Sequence, residues 1–204
     1  MLFLTIHYRE IDKVSKIAKE LCTTNRIKHI EGVANFIQKL ASIHSLDQKS
    51  CMMLAWGHDL FRDFNEEGLF KLAEAFNYRP NALERDNPIL LHGKIAALYL
   101  RKIFCIDDDI FQSIYWHVSG HPDLPVIGKA LLIADMAEEN RDFPEVNIIR
   151  RSAFCDLEKT FITVIRLKMI WALRNNLYIL PETVTAWNRL LVGGVTDGYH
   201  KDSE

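Results

Sequence analysis

Apolar residues recur every three or four positions along most of this 204-residue chain. That spacing places them on one face of an α-helix, and the strict alternation typical of a half-buried strand is rare and short here. The sequence therefore predicts an all-α protein, a bundle of amphipathic helices around a shared core. A chain of this length can bury one sizeable core. We therefore expect a single domain over residues 1–192, followed by a frayed C-terminal tail over residues 193–204.

Cap residues and helix breakers divide the pattern into segments. The stretch "NYRPNALERDNP", with two prolines, is predicted to be a loop. We predict helices over about Tyr8–Cys22, over Arg26–His44, from the cap at Asp47 to the stretch "HDLF", over Glu66–Phe76, over Ile89–Phe104, from "IDDD" to "HVSGHPDLP", over Val126–Glu139, over Asn147–Asn175 and over Pro181–Leu191.

Charge and composition limit the partners of the protein. A formal net charge of -2 provides no basic surplus for binding nucleic acid. No stretch approaches the roughly 18 consecutive apolar residues that a membrane span requires. The four cysteines lie far apart, form no CxxC pair and sit among apolar or helical neighbours, so we expect reduced, buried thiols in a cytoplasmic protein. The sequence leaves the oligomeric state open, a homodimer included.

Several polar residues interrupt the apolar faces of the predicted helices. Asp135 shares a helical stripe with Ile127 and Leu131 inside "ALLIADMA". A lone carboxylate buried there would cost several kcal/mol unless a cation neutralised it. The stretch "LAWGHDLFRD" likewise places the doublet His58-Asp59 among apolar neighbours. The remaining inward-facing polar residues are histidines in register with apolar residues: His29, His92 and His117.

Two explanations compete for these residues. Taken singly, a buried histidine is more often a hydrogen-bonded core residue, and a buried aspartate is more often an ion-pair partner or a cap. Taken together, four histidines and two aspartates on five helices would each need a separate partner, whereas one metal centre satisfies all six. Imidazole and carboxylate ligands suit iron, manganese or zinc, and the absence of cysteine ligands argues against a closed structural zinc site.

The other histidines do not share an apolar face. We expect His7, His44 and His200 to be ordinary surface or capping residues. His121 follows His117 in a loop rich in glycine and proline, from which it could reach a substrate.

The order of the six polar residues resembles that of the HD-domain metal-dependent phosphohydrolases. An isolated HD doublet is weak evidence, because it occurs by chance in many chains. The fuller pattern is similar to the motifs of the YqeK-type symmetrical bis(5'-nucleosyl)-tetraphosphatases, and the similarity covers residues 25–191. The stretches that carry it are "RIKHIEGV", "GHDLFRD", "NPILLHG", "IYWHVSG" and "LIADMAEENRDFPEV".

The resemblance implies an all-α HD-type bundle with a dinuclear metal site. Members bind two metal ions, usually iron, and split diadenosine tetraphosphate into two ADP. Carried onto this chain, the motifs assign Asp59 as a bridge between the ions and Asp59 and Arg62 as the catalytic candidates. The implied metal ligands are His29, His58, Asp59, His92, His117 and Asp135.

Three positions depart from the family pattern. Arg62 stands where the family commonly has lysine. The positive charge is kept, but a planar guanidinium group replaces a compact ammonium group. Val118 replaces a threonine and removes a hydroxyl from the pocket rim. Glu139 replaces a proline, and we expect it only to reshape a turn.

Two divalent ions and two carboxylates would leave a net charge of about +2 at the centre. This positive charge attracts phosphate groups and lowers the pKa of a bound water molecule, so that the water can act as a nucleophile near neutral pH. No serine or cysteine nucleophile is then needed. Basic residues near the predicted ligands are candidates for binding the phosphate chain. The alternative for each of them is that it is an ordinary surface residue whose charge is solvated by water. The substrate-binding candidates are Arg26, Lys94, Arg141, Arg150 and His121.

Two other functions stay open. An HD-type centre could act on a nucleoside monophosphate, a cyclic nucleotide or a guanosine polyphosphate. The same residues could also form a metal-binding regulatory or scaffold domain without catalysis. The presence of all six ligand types favours an enzyme, and the motifs after His117 favour a dinucleoside polyphosphate.

Overall fold

The computed structural model describes residues 7–192. Within that range every regular element is a helix, which confirms the predicted all-α class. A short 3₁₀ helix covers Pro88–Leu91. The α-helices are α1 Tyr8–Leu21, α2 Thr24–Ile43, α3 Gln48–Gly57, α4 Glu66–Ala75, α5 Ala82–Asp86, α6 His92–Phe104, α7 Asp108–Tyr115, α8 Val126–Ala137, α9 Val146–Ala153, α10 Leu157–Arg174 and α11 Pro181–Val192.

The predicted loop before α6 contains a short helix, so that prediction was wrong. The Asn81 side chain accepts a hydrogen bond from the backbone N–H of Glu84, and the Glu84 carboxylate accepts one from the N–H of Asn81. This reciprocal cap satisfies two N–H groups that would otherwise lack partners and starts α5. Pro88 then begins the 3₁₀ helix, which is why α6 starts at His92 rather than at Ile89.

The predicted helix over Asn147–Asn175 is two helices, α9 and α10. Asp156 adopts an extended backbone conformation and its side chain accepts a hydrogen bond from the N–H of Lys159, so a new helix starts at Leu157. The apolar spacing continues across this break, and for that reason spacing alone predicted one helix. Because α9 and α10 are separate helices, each of them packs against α8 on its own.

Helix α8 is the central element of the core. It packs against α2, α3, α7, α9 and α10. Its buried residues include Leu131 and Ile133, and the face of α2 that it meets buries Val33 and Ile37, all without solvent exposure. Each such aliphatic side chain contributes about 1.5–3 kcal/mol of burial free energy. The polar residues on these helices are therefore held by a closely packed frame.

Helix α3 ends at Gly57, and residues 58–63 form successive turns. Arg62 therefore does not follow His58 on a continuing helix, as the sequence pattern suggested. Its backbone N–H instead donates to the carbonyl of Asp59 across 3.0 Å.

The remaining predictions concern single residues and the C-terminal tail. Residues 193–204, with the predicted frayed tail and His200, lie outside the described range. His7 is the N-cap residue of α1 and His44 is the C-cap residue of α2, in agreement with their expected capping roles. Cys51 is buried, but Cys105 and Cys155 are exposed, so the prediction of buried thiols was wrong for those two. Between residues 7 and 192 there is no helix with the length and apolar character of a membrane span.

Candidate metal centre

Five helices deliver the six predicted ligands to one place. His29 lies in α2, and His58 and Asp59 follow directly on the end of α3. The other three come from elements later in the chain: His92 is the first residue of α6, His117 follows α7, and Asp135 lies in α8.

Asp59 stands at the middle of the cluster. Its Oδ1 atom lies 3.2 Å from Nε2 of His92 and 3.6 Å from Nε2 of His117. Its Oδ2 atom lies 3.6 Å from Nε2 of His58 and 3.7 Å from Nε2 of His29. The carboxylate thus faces two histidines with each oxygen, and the cluster divides into two three-residue groups that share Asp59.

Asp135 completes the first group. Its Oδ1 atom lies 3.1 Å from Nε2 of His29. One group therefore has His29, His58, Asp59 and Asp135 around it, and the other has Asp59, His92 and His117. Imidazole and carboxylate donors in this number and mixture suit a divalent cation with positions left open for other ligands.

The buried ring nitrogens supply a direct test of that fit. Nε2 of His58 is buried and has no hydrogen-bond partner among residues 7–192. Nε2 of His29 has none either when Nδ1 carries the proton toward Glu138, because Oδ1 of Asp135, 3.1 Å away, can only accept. A polar atom left in this state costs about 1–3 kcal/mol. A cation coordinated by the lone pairs removes that cost, so the residues fit a metal.

Three of the histidines are oriented by the backbone. The carbonyl oxygen three residues earlier accepts a hydrogen bond from Nδ1, at 2.9 Å for His58 and 2.8 Å for His117. His92 makes the same contact with the carbonyl of Ile89. A carbonyl can only accept, so Nδ1 carries the proton and the Nε2 lone pair faces the centre of the cluster.

His29 is oriented by a side chain that the sequence analysis did not include. Glu138 is buried, and its Oε1 atom lies 3.1 Å from Nδ1 of His29. Its Oε2 atom accepts hydrogen bonds from the backbone N–H and the side-chain amide of Asn140, at 2.6 and 2.9 Å. Gly32 leaves room for this carboxylate, because a Cβ atom there would collide with Oε2. One sequence feature could have identified Glu138 as unusual. It is an acidic residue at the C-terminal end of α8, where the helix dipole disfavours negative charge.

The environment of the cluster favours ionised aspartates and shifts the pKa values of three of its histidines. Burial alone would raise the pKa of Asp59, but His58, His117 and His92 hold the pKa of that carboxyl well below its ordinary value. Burial also opposes ionisation of Asp135, yet His29 and Arg141 keep its pKa well below the ordinary value.

Among the histidines, burial lowers the pKa of His58 to about 4 and also lowers that of His117. For His29, burial is outweighed by Asp135, and its pKa is raised. Ionised carboxylates and neutral imidazoles are the forms that bind metal.

A cavity of about 600 Å³ opens onto the cluster, and its lining includes Asp59, His92, His117 and Asp135. The lining also includes three aromatic residues, here called the aromatic wall: Phe143, Trp171 and Tyr178. Basic residues from several elements also line it: Arg26, Arg62, Arg141, Lys168 and Arg174.

Three of the predicted catalytic and substrate-binding cations are therefore at the cavity. The Arg26 guanidinium lies 2.6 Å from Oδ2 of Asp59, and Arg141 donates to Oδ1 of Asp135 across 2.8 Å. Arg62 lines the cavity with no carboxylate within salt-bridge distance in the described part of the chain.

The structure does not bring the other three predicted substrate-binding residues to this cavity. The Lys94 ammonium lies 2.6 Å from the buried carboxylate of Glu84. Arg150 donates to the carbonyl oxygens of Ala137, Glu138 and Arg141 and so holds the turn after α8. His121 stacks on Trp116 with ring centroids 4.8 Å apart.

Known proteins resemble this chain in sequence over most of its length. A Bacillus subtilis protein named symmetrical bis(5'-nucleosyl)-tetraphosphatase is 32% identical over 176 residues, which is 86% of this chain and 94% of that protein. A protein of the same name from Halalkalibacterium halodurans is 31% identical over 183 residues, covering 88% and 96% of the two chains. A Staphylococcus aureus protein of that name is 24% identical over 181 residues, covering 87% and 93%. No protein-family model matches.

A solved structure supports the fold. The crystal structure of a predicted HD superfamily hydrolase involved in NAD metabolism, from Clostridium acetobutylicum, superposes with a TM-score of 0.84 at 24% identity. The match covers 93% of this chain and 99% of the other. It confirms the predicted HD-type fold.

Proposed function

The chain belongs to the symmetrical bis(5'-nucleosyl)-tetraphosphatase family, and from this we propose that it hydrolyses diadenosine tetraphosphate to two ADP. The family and the HD fold make it a metal-dependent phosphohydrolase. One observation carries the proposed reaction: two three-residue groups share Asp59, and that residue lines a cavity that basic and aromatic residues also line.

The six ligand positions would hold two divalent cations, and Asp59 would be a ligand in both groups. Iron is the proposed metal, and manganese or zinc would accept the same donor atoms. When bound, the cations would supply an acidified water molecule and would neutralise charge on the phosphoryl oxygens. The protein contributes the fixed imidazole orientations and the ionised aspartates described above.

The basic side chains would hold the phosphate chain in the cavity. Arg62 has no carboxylate partner in the described residues, so its guanidinium can bind phosphoryl oxygens with two parallel N–H donors. Its planar guanidinium would orient the phosphate chain and neutralise part of its charge. Arg26 and Arg141 would lie nearby, each also fixing one aspartate.

The proposed reaction adds one water to the substrate. The water oxygen attacks one of the two central phosphorus atoms, and the bond from that phosphorus to the oxygen shared with the other central phosphorus breaks. The shared oxygen leaves with one ADP, and the water oxygen stays on the other ADP. The aromatic wall formed by Phe143, Trp171 and Tyr178 would provide flat surfaces for a nucleobase.

We also propose a cytoplasmic location, because none of the four cysteines forms a disulfide.

A product assay tests the reaction. The protein, purified anaerobically with iron, should convert diadenosine tetraphosphate to ADP alone, and Asp59→Ala should not. In ¹⁸O-labelled water, one of the two ADP molecules from each substrate should carry the label. Equal amounts of ATP and AMP would overturn the symmetrical assignment. The protein could instead hydrolyse a nucleoside monophosphate, a cyclic nucleotide or a guanosine polyphosphate and leave diadenosine tetraphosphate intact. That result would show that its substrate is a different nucleotide.

A further inference from the structure

Lys168 is a cavity residue that none of the recognised motifs contains. It lies in α10 and lines the cavity together with Asp59, His117 and Asp135. Its Nζ atom is 3.4 Å from the carbonyl oxygen of His117, which is a long hydrogen bond. Among residues 7–192, no carboxylate lies within 4.0 Å of this ammonium.

Arg62 resembles Lys168, because it is partly buried and has no carboxylate partner among residues 7–192, and it is already a predicted site residue. The other three basic residues of the cavity differ from Lys168 in burial or in pairing. Arg26 is held by Asp59 and Asp63, and Arg141 by Asp135, so their charges already have carboxylate partners. Arg174 is exposed at the end of α10 and is solvated there. Lys168 is partly buried, and a charge removed from water without a partner is costly unless an anion accompanies it.

The position of Lys168 fits one part of the proposed substrate. Its contact with His117 places the ammonium beside the group formed by Asp59, His92 and His117. One helical turn further along α10, Trp171 forms part of the aromatic wall. Lys168 therefore neighbours both a candidate metal ligand and the surface proposed for a base. A phosphate chain that joins the two would pass it.

We propose that Lys168 binds the phosphate chain of the substrate, next to the group formed by Asp59, His92 and His117. The ligand it takes is a phosphoryl oxygen, since a compact ammonium with three N–H donors binds phosphate as a point charge. This proposal rests on the proposed function for the identity of the whole substrate, but the phosphate contact can be measured separately.

Binding of ADP to the metal-loaded protein tests the contact. Isothermal titration should show that Lys168→Met raises the ADP dissociation constant about tenfold, the loss expected for one hydrogen bond between charged groups. Lys168→Arg, which keeps the charge, should stay within about threefold of the unchanged protein. Lys159→Met removes an exposed lysine from the same helix and should bind ADP normally. Metal content should be equal in all four proteins.

The outcomes separate this proposal from its premise. An unchanged ADP dissociation constant in Lys168→Met would overturn it, and so would a loss of metal in that variant, because Lys168 would then act by supporting His117. Failure of the unchanged protein to bind ADP would overturn it as well. If the protein does not hydrolyse diadenosine tetraphosphate but ADP binding still depends on Lys168, the phosphate contact is supported and only the proposed reaction fails.

Discussion

The carboxylate of Glu138 accepts a hydrogen bond from Nδ1 of His29 across 3.1 Å, in a position where Glu138 is only 1% exposed. This contact distinguishes His29 from His58, His92 and His117, whose Nδ1 atoms donate to backbone carbonyls. A backbone carbonyl survives any substitution, whereas a side-chain partner can be removed. The orientation and basicity of His29 therefore depend on one residue outside the six candidate ligands.

Glu138→Gln should weaken metal binding. The amide oxygen can still accept from His29, but the negative charge that makes the imidazole a better donor is lost. We expect metal affinity to fall about 10-fold to 100-fold, as measured by competition with a chelating indicator. Glu139→Gln changes the exposed neighbouring residue and should leave affinity unchanged. Equal affinities in the two variants would show that Glu138 does not act on the metal through His29.

Asp59→Ala should remove both metal positions, because Asp59 belongs to both three-residue groups. His92 belongs to one group, so His92→Ala should keep about one ion per chain while Asp59→Ala keeps fewer. Elemental analysis after desalting measures the difference. Equal metal content in the two variants would contradict the role of Asp59 as the residue shared by two ions.

The six candidate ligands could be found from sequence because each is in register with apolar residues or lies in an apolar stretch. A periodic pattern reports such a position whatever the partner is. Glu138 and Lys168 were missed for different reasons. Glu138 finds its partner in α2, far away in the chain, and Lys168 lies in a helix whose apolar spacing appears ordinary.

The positions of the basic residues were harder to predict than those of the ligands. Lys94 follows His92 closely in sequence, yet it pairs with Glu84 from a helix that had been predicted as loop. Arg150 satisfies carbonyl groups at the end of α8, and such backbone contacts leave no pattern in the sequence. The residues of the cavity wall were not predictable either, because the break between α9 and α10 sets where that wall lies.

Arg62→Met should raise the KM for diadenosine tetraphosphate about tenfold or more, because a cation at the cavity without a carboxylate partner is lost. Arg62→Lys restores the residue common in the family and should recover most of the activity. Steady-state kinetics at equal metal content measures both. Unchanged kinetics in Arg62→Met would place the phosphate chain elsewhere in the cavity.

Lys94→Met should destabilise the protein without affecting substrate binding. Lys94 is the partner of Glu84, whose carboxylate is 3% exposed and also accepts a hydrogen bond from Tyr78. Removing the ammonium leaves a buried, uncompensated charge, so we expect the free energy of unfolding to fall by about 3–5 kcal/mol. Adding Glu84→Gln removes that charge, and the double variant should recover part of the loss in urea unfolding. A raised KM for diadenosine tetraphosphate in the folded double variant would instead return Lys94 to the substrate site.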